Sequence, residues 1–316
     1  MPAEYTHQLI AERILAQLPE EVRQKISDLP TFYLGAQGAD IFYFVNYSKK
    51  PNIGRFLHNC CAYEVFSDLL NAAKEGAALS YAAGYIAHYA ADTVFHPFVY
   101  ALTQQFMLDH PQKNVRWHAY IESDLDTLFV RSYAGVSVRD YCCPVREEKA
   151  DLGAVYRTMR QVCTARGLPA FTQADLRRGV RRYFCFERAF TDARFRRRKF
   201  VGGVERLLHL PQVFSCIFRR EEADERVEKG LPQGWKNPSA PEANLSREDA
   251  RQLFSRAVEE GTRLICAFFR AKEDKQPLPF APFNKGHLSG VDCSLPFVRP
   301  SREKGKERRR RENKGT

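Results

Sequence analysis

Several features common in other protein classes are missing from this 316-residue sequence. It has no uninterrupted apolar run approaching the roughly 20 residues that cross a bilayer, so no transmembrane segment is predicted. Its first residues show no basic stretch followed by an apolar one, so no signal peptide is expected. We find no strand-period alternation of any length and no internal repeat. These absences favour an all-α protein that does not span a membrane.

Cysteine usage excludes one kind of metal site. None of the nine cysteines forms a Cys-x-x-Cys pair, so a thiolate zinc site is not expected. Their odd number and mostly apolar surroundings favour reduced thiols in a cytoplasmic protein. The stretch Gly35–Gly38 also lacks the Gly-Lys-Ser/Thr ending of a phosphate-binding loop.

What the sequence does contain is a succession of segments with helical periodicity. Apolar residues recur every three to four positions in each of them, which predicts one multi-helix domain over residues 1–275. Pro97 is expected to end the helix that precedes it. Residues 276–316 are predicted to form an irregular, Pro-containing and basic tail. The predicted helices are 3–18, 20–26, 56–74, 79–95, 115–133, 152–165, 173–190, 200–218 and 246–272.

Two of these helices carry metal-ligating residue types at helical spacing. His88, Asp92 and His96 are four residues apart, and His118 and Glu122 repeat that spacing. Residues four apart are neighbours on a helix face, about 5–6 Å between Cβ atoms. A single histidine on an apolar face is usually a hydrogen-bonded core residue. Five such groups in two registers would be costly to bury unpaired, which favours a divalent metal site.

Three further residues complete an ordered set. His7 lies in the first helix, Asp40 ends the stretch Gly-Ala-Gln-Gly-Ala-Asp, and His58 begins the helix over 56–74. With the five residues above, this order resembles the zinc-dependent phospholipase C family, whose wider superfamily includes the S1/P1-type nucleases. The resemblance covers residues 1–125 most closely and implies an all-helical fold around two or three zinc ions.

The resemblance also implies roles for these residues. Asp40, His58, His88 and Asp92 would hold one zinc, His96, His118 and Glu122 a second, and His7 with Asp92 a third. Asp40 would also act as the catalytic proton acceptor. Asp126, eight residues after His118, could be an outer contact of the ligands, and the favoured interpretation is a surface carboxylate.

The chemistry implied is hydrolysis of a phosphodiester by zinc-activated hydroxide that attacks phosphorus. Three hypotheses stay open at this point. The first is a phospholipase C-type hydrolase, and the second is an S1/P1-like nuclease acting on single-stranded nucleic acid. The third is a non-catalytic, metal-stabilised binding module.

Basic residues are concentrated in two places, in a chain of net charge +11. Residues 299–316 hold nine Lys/Arg and three Asp/Glu, a net +6, and are predicted to be disordered. This tail could contact an anionic membrane or a nucleic acid, or it could be solvated without a specific partner. Residues 177–199 interleave arginines with aromatic residues, which indicates either nucleic-acid binding or, as the favoured interpretation, a solvated charged face over core aromatics.

Overall fold

The protein is built from α-helices in the computed structural model, which describes residues 4–47, 50–74, 76–141, 143, 145, 147–192 and 194–300. No β-sheet is present in these ranges, so the all-α prediction is confirmed. The basic tail predicted to be disordered comprises residues 299–316, of which 301–316 lie outside the described part. The helices are α1 Glu4–Gln17, α2 Glu20–Arg23, α3 Leu29–Gly35, α4 Phe42–Val45, α5 Ile53–Asn59, α6 Ala62–Ala72, α7 Gly76–Asp109, α8 Trp117–Phe129, α9 Leu152–Ala165, α10 Gln173–Ala189, α11 Arg197–Leu207, α12 Glu225–Lys229, α13 Ala250–Glu273 and α14 Phe280–Phe283.

The central element is α7, which is 34 residues long and buried on all sides through its middle. It packs against α1, α3, α8 and α13. A helix surrounded by others has no solvent-facing stripe, so it is apolar all round apart from its functional residues. α7 is therefore the element on which the other helices, and the ligands they carry, are arranged.

The predicted end of this helix at Pro97 is wrong, because α7 continues through the proline to Asp109. Proline has no N–H to donate to the carbonyl four residues earlier, here that of Thr93. Gly290 packs at this point, and a Cβ on it would lie only 2.4 Å from the Thr93 oxygen and 2.7 Å from the Pro97 ring. Burial against several elements outweighs the roughly 3 kcal/mol that an internal proline costs a helix.

Two other predicted helices are shorter in the structure. The helix over 56–74 is divided into α5 and α6 at Cys60 and Cys61, both of which are extended. The helix over 200–218 ends as α11 at Leu207. His209 then has a φ of 54°, a left-handed conformation that α-helices do not continue through, and Pro211 follows.

Residues after α13 return to the centre of the molecule. Leu278, Phe283 and His287 are buried, and the Phe283 ring lies against Phe66 and Tyr89. Nδ2 of Asn284 donates a hydrogen bond to Oδ2 of Asp292 at 2.8 Å. We call residues 284–292 the C-terminal clasp. The domain division at residue 275 stays a prediction.

Among the described helices, none combines the length and the apolar character needed to cross a membrane.

Candidate metal centre

Two helices present the predicted ligands to one another at the middle of the molecule. α7 places His88, Asp92 and His96 along one face, and α8 packs on it with His118 and Glu122. All except His118 are buried, and the His118 side chain is 23% exposed. The helical spacing read from the sequence therefore does put these five side chains on facing surfaces.

Asp92 is the point where the set converges. Its Oδ2 lies 3.3 Å from Nε2 of His88 and 3.8 Å from Nε2 of His58. Its Oδ1 lies 3.5 Å from Nε2 of His7 and 3.7 Å from Nδ1 of His96. One carboxylate thus contacts histidines from three helices, as a residue shared between neighbouring ions would.

Asp40 and His58 form the wall of the centre opposite α7. Asp40 lies in a 3₁₀ turn, Gly38–Ile41, and its Oδ1 is 3.1 Å from Nε2 of His58 at the end of α5. Gly38 has a φ of +44°, and a Cβ there would lie 2.2 Å from the His88 ring. The turn before Asp40 therefore needs glycine both for its backbone and to admit the imidazole.

The third side of the centre is the group His96, His118 and Glu122. Nε2 of His118 is 3.0 Å from Oε1 of Glu122, and Nε2 of His96 is 3.8 Å from the same oxygen. The two imidazoles are nearly parallel, with ring centroids 5.6 Å apart. These are the three residues that the family resemblance assigns to a second ion.

Backbone carbonyls fix the tautomers of two histidines. Nδ1 of His58 donates to the Gly54 carbonyl at 2.7 Å, and Nδ1 of His96 donates to the His287 carbonyl at 2.8 Å. In the neutral form each ring then keeps its Nε2 lone pair for the centre. Such outer contacts orient metal-binding histidines in known sites.

His287 is the functional residue that sequence reasoning missed. It is fully buried in the C-terminal clasp, and its Nδ1 lies 3.2 Å from Oδ2 of Asp92. Through its side chain it contacts Asp92, and through its carbonyl it contacts His96. It follows Gly286 in an irregular segment, so no helical register linked it to the other ligands.

Asp126 is also placed differently from the prediction, because it is fully buried rather than on the surface. Its Oδ1 accepts hydrogen bonds from the backbone N–H and the hydroxyl of Thr6, at 2.8 and 2.7 Å. Its Oδ2 accepts from Nε of Arg219 at 2.8 Å. Asp126 thus fixes the first turn of α1 on α8, one residue before His7.

The protonation states of the centre suit a cation. Burial lowers the pKa of His7 to about 3 and that of His287 to about 4, so both rings are neutral near pH 7. Burial raises the pKa of Glu122, but the charge and hydrogen bond of His118 outweigh it and bring that pKa to about 2. Neutral imidazoles and ionised carboxylates are the forms that bind metals.

His58 is the exception among these histidines. Burial acts to lower its pKa, but the hydrogen bond and charge of Asp40 outweigh burial and raise it. Burial acts to raise the pKa of Asp40, but the hydrogen bond and charge of His58 outweigh burial and lower it. When a cation binds to both groups, it displaces the proton that they share.

Three triads bring their ligand atoms within 4.8 Å of one another: His7–Asp40–His88, His58–His88–Asp92 and His96–His118–Glu122. Both ring nitrogens of buried His88 lack a hydrogen-bond partner, as do Nδ1 of His7 and of His118. Orphaned buried nitrogens beside ionised carboxylates are costly unless a cation is bound. Nitrogen and oxygen donors of this kind fit zinc.

A small cleft adjoins the centre. Its polar lining consists of Thr6 and four of the predicted ligands, and the other lining residues are apolar. It is lined by Thr6, His7, Ala91, Asp92, Phe95, His96, Val99, Glu122 and Leu125.

An all-helical body with histidines and carboxylates clustered beside a cleft is the arrangement of a helical protein that can bind metal ions. The sequence model of the family described as zinc-dependent phospholipase C matches residues 6–164, half of the chain. The chain belongs to that family. Its membership and the clustered ligands indicate a metal-dependent, phospholipase-type hydrolase. No curated protein and no solved structure matches the chain.

Proposed function

We propose that the protein hydrolyses the phosphodiester bond of phospholipids, with zinc ions held by the eight predicted ligands. The observation that carries this proposal is the convergence of three ligand triads around Asp92, next to a cleft lined in part by apolar residues. Bound zinc would supply water of lowered pKa, about 7, and positive charge for the phosphate oxygens.

Asp40 is the proposed proton acceptor. It is ionised, buried at the centre and oriented by the hydrogen bond to His58. A carboxylate held in this way can take a proton from an attacking water without rearranging. The neutral rings of His7 and His96 leave the ionised Asp92 and Glu122 as the charges that line the cleft.

The family match supports a lipid over a nucleic acid, because the family is described as a phospholipase. Phe95, Val99 and Leu125 line the cleft beside the ligands and are buried. His118 is the most exposed of the ligands, so the phosphate would approach from its side. A cytoplasmic location stays a prediction.

The direct test uses zinc-supplemented, desalted protein. Elemental analysis should find at least two ions per chain, and a value below one would contradict the proposed centre. The protein should release phosphorylated headgroup from a short-chain, monomeric phosphatidylcholine. Asp40→Asn should slow this release strongly, whereas Asp140→Asn, at an exposed carboxylate, serves as the charge-matched control.

The same panel should include single-stranded oligonucleotides. Their cleavage without any lipid hydrolysis would favour the nuclease over the phospholipase. Fully metallated protein that is inert toward every phosphodiester would favour a binding module over both enzymes.

A further inference from the structure

α11 shows the reverse of the usual amphipathic arrangement. Its exposed face carries Phe200, Val204 and Leu207, which are 73%, 38% and 77% exposed. These positions are spaced i, i+4 and i+7, so they form one continuous stripe. The residues that α11 buries are instead Gly202 and the acid Glu205.

The segment after α11 extends this apolar surface. Leu208, Leu210 and Phe214 are all more than half exposed, and the Phe214 ring lies parallel to that of Phe190, with centroids 6.5 Å apart. Large exposed apolar patches on a protein surface generally mark a binding surface. We call this set, Phe200, Val204, Leu207, Leu208, Leu210 and Phe214, the α11 surface.

Glu205 explains how the segment is held with its apolar residues outward. Its Oε1 accepts hydrogen bonds from the backbone N–H groups of Val213 and Phe214, at 3.1 and 2.8 Å. Its Oε2 accepts hydrogen bonds from the hydroxyl and the backbone N–H of Ser215. A buried carboxylate with these four donors fixes the loop, so the exposure of the leucines is built into the structure.

The charge around the α11 surface has one sign. Between residues 194 and 214 there are six Lys/Arg, at 194, 196, 197, 198, 199 and 206, and one acid, the buried Glu205. All of these cations except the half-buried Arg198 are exposed. Apolar side chains bordered by cations are the pattern of helices that lie in the interface of anionic membranes.

The α11 surface is also joined to the metal centre through the backbone. The N–H of Arg116 donates to the Gln212 carbonyl at 3.1 Å. The N–H of Gln212 donates in turn to the Asn114 carbonyl at 2.8 Å. Arg116 immediately precedes α8, in which His118 is the second residue. A membrane bound at this surface would therefore lie against the segment that begins the second ligand-bearing helix.

We propose that the α11 surface inserts its apolar side chains into an anionic phospholipid membrane while the cations of residues 194–206 bind the headgroups. The interpretation of residues 177–199 as core aromatics beneath a solvated charged face holds for Tyr183 and Phe184, which are buried, whereas Phe200 and Phe214 lie beyond that range and are exposed. Binding here does not require hydrolysis, so it can be tested whether or not the proposed function is correct.

The experiment measures co-sedimentation of the full chain with phosphatidylcholine vesicles that contain about 30% phosphatidylserine. The triple variant Phe200→Ser, Leu207→Ser, Leu210→Ser should lower the bound fraction at least about tenfold. The matched control, Leu245→Ser with Leu295→Ser, changes other exposed leucines and should bind like wild type.

Charge is tested in the same assay. A triple variant that removes three cations, Arg196→Ser, Arg197→Ser and Lys199→Ser, should bind about tenfold or more weakly than wild type. This difference should shrink in high salt, because salt screens the attraction of the cations to the headgroups. Arg177→Ser, Arg181→Ser, Arg182→Ser removes the same charge from exposed positions of α10 and should have a smaller effect. Equal losses in both triples would overturn the assignment of the headgroup site to residues 194–206.

Insertion is tested with Phe200→Trp and vesicles of brominated lipid. Quenching of the new fluorescence is expected, because the native Trp117 and Trp235 are buried and stay unquenched. No quenching, with equal sedimentation of wild type and the apolar triple variant, would overturn the proposal. A concentration-dependent dimer that the apolar variant abolishes, without vesicle binding, would instead assign the surface to a second copy of the chain.

Hydrolysis of monomeric short-chain lipid separates this proposal from the proposed function. Folded apolar and charge variants should keep that activity while they lose vesicle binding. Wild type that binds vesicles but hydrolyses no lipid would contradict the proposed function alone.

Discussion

The metal centre and the α11 surface depart from ordinary burial in opposite directions. At the centre, α7 buries His88, Asp92 and His96, which in water would be solvated. At the surface, α11 exposes Phe200 and Leu207, which would ordinarily be in a core. Buried polar groups and exposed apolar patches are the informative exceptions in a folded protein. We propose that each region is explained by something it binds, a cation in one case and lipid in the other.

The two regions are connected by a buried ionic cluster. Arg219, at the end of the segment that follows the α11 surface, lies between Asp126, Glu187 and Glu4. Its guanidinium also stacks on the Tyr5 ring, 3.9 Å from the ring centroid. Since Asp126 holds the turn before His7, this cluster fixes the position of α1 relative to α8. The comparison can be sharpened by variants in each region and in the cluster between them.

The largest effect is expected at Asp92. Asp92→Asn removes a negative charge shared by histidines of three helices, so hydrolysis should fall by more than about 100-fold, since even outer contacts of metal ligands contribute 10- to 100-fold. His7→Ala should be milder, because it removes one peripheral imidazole. Rates with added zinc are compared after circular dichroism has shown that each variant is folded, because metal binding is coupled to folding. A folded Asp92→Asn variant with a near-normal rate would remove Asp92 from the centre of the site.

His287 is expected to act through Asp92 and His96. His287→Leu should lower activity and zinc affinity about 10- to 100-fold, whereas His287→Asn, which keeps a donor near the Nδ1 position, should restore much of both. Zinc affinity is measured by chelator competition and the geometry of the site by the absorption spectrum of the cobalt-substituted protein. Phe283→Leu loosens the packing of the same segment without touching a ligand. If it matches His287→Leu in every readout, the role of His287 is packing only.

A smaller effect is expected at Glu205, in the opposite region. Glu205→Gln replaces an ionised acceptor of backbone N–H groups by an amide, which should cost about 1–3 kcal/mol of unfolding free energy. Urea unfolding measures this, with Glu222→Gln at an exposed carboxylate as control. Vesicle binding should weaken, while hydrolysis of monomeric lipid stays unchanged. Loss of that hydrolysis in folded protein would show that the two regions are not separable.

The smallest effect is a pH dependence of the cluster. Burial raises the pKa of Glu187 to about 8 and that of Glu4 to about 7, and Arg219 only partly offsets it. A carboxyl with a folded pKa above its unfolded value stabilises the protein fully below about pH 4.5. That stability is lost as the pH rises through about 8. The melting temperature should therefore fall by a few degrees between pH 6 and pH 9, and by less in Glu187→Gln.

The groups that face Glu187 are Arg219, Glu4 and Asp126, so each of them contributes to this dependence. Glu147→Gln, at a carboxylate paired with exposed Arg188, is the control and should leave the wild-type slope unchanged. An identical slope in Glu187→Gln and wild type would assign the pH dependence to other groups.

The sequence by itself determined the helical class and most of the metal centre. Spacing of four residues places His88, Asp92 and His96 on one helix face regardless of what packs there, because that relation is local. The order of His7, Asp40 and His58 before them led to the family that the comparison then showed. Local periodicity also predicted α9 with its observed bounds and α10 to within one residue.

Other features were decided only by tertiary structure. Pro97 lies inside α7 because surrounding helices and Gly290 cover the break, and no local rule predicts that cover. Asp126 is buried because Thr6 and Arg219, about a hundred residues away on either side, come to it. His287 joins the centre, and α11 turns its apolar face outward, for the same reason. Contacts between residues distant in the chain depend on how whole helices pack together. The spacing of residues within one helix carries no information about that packing.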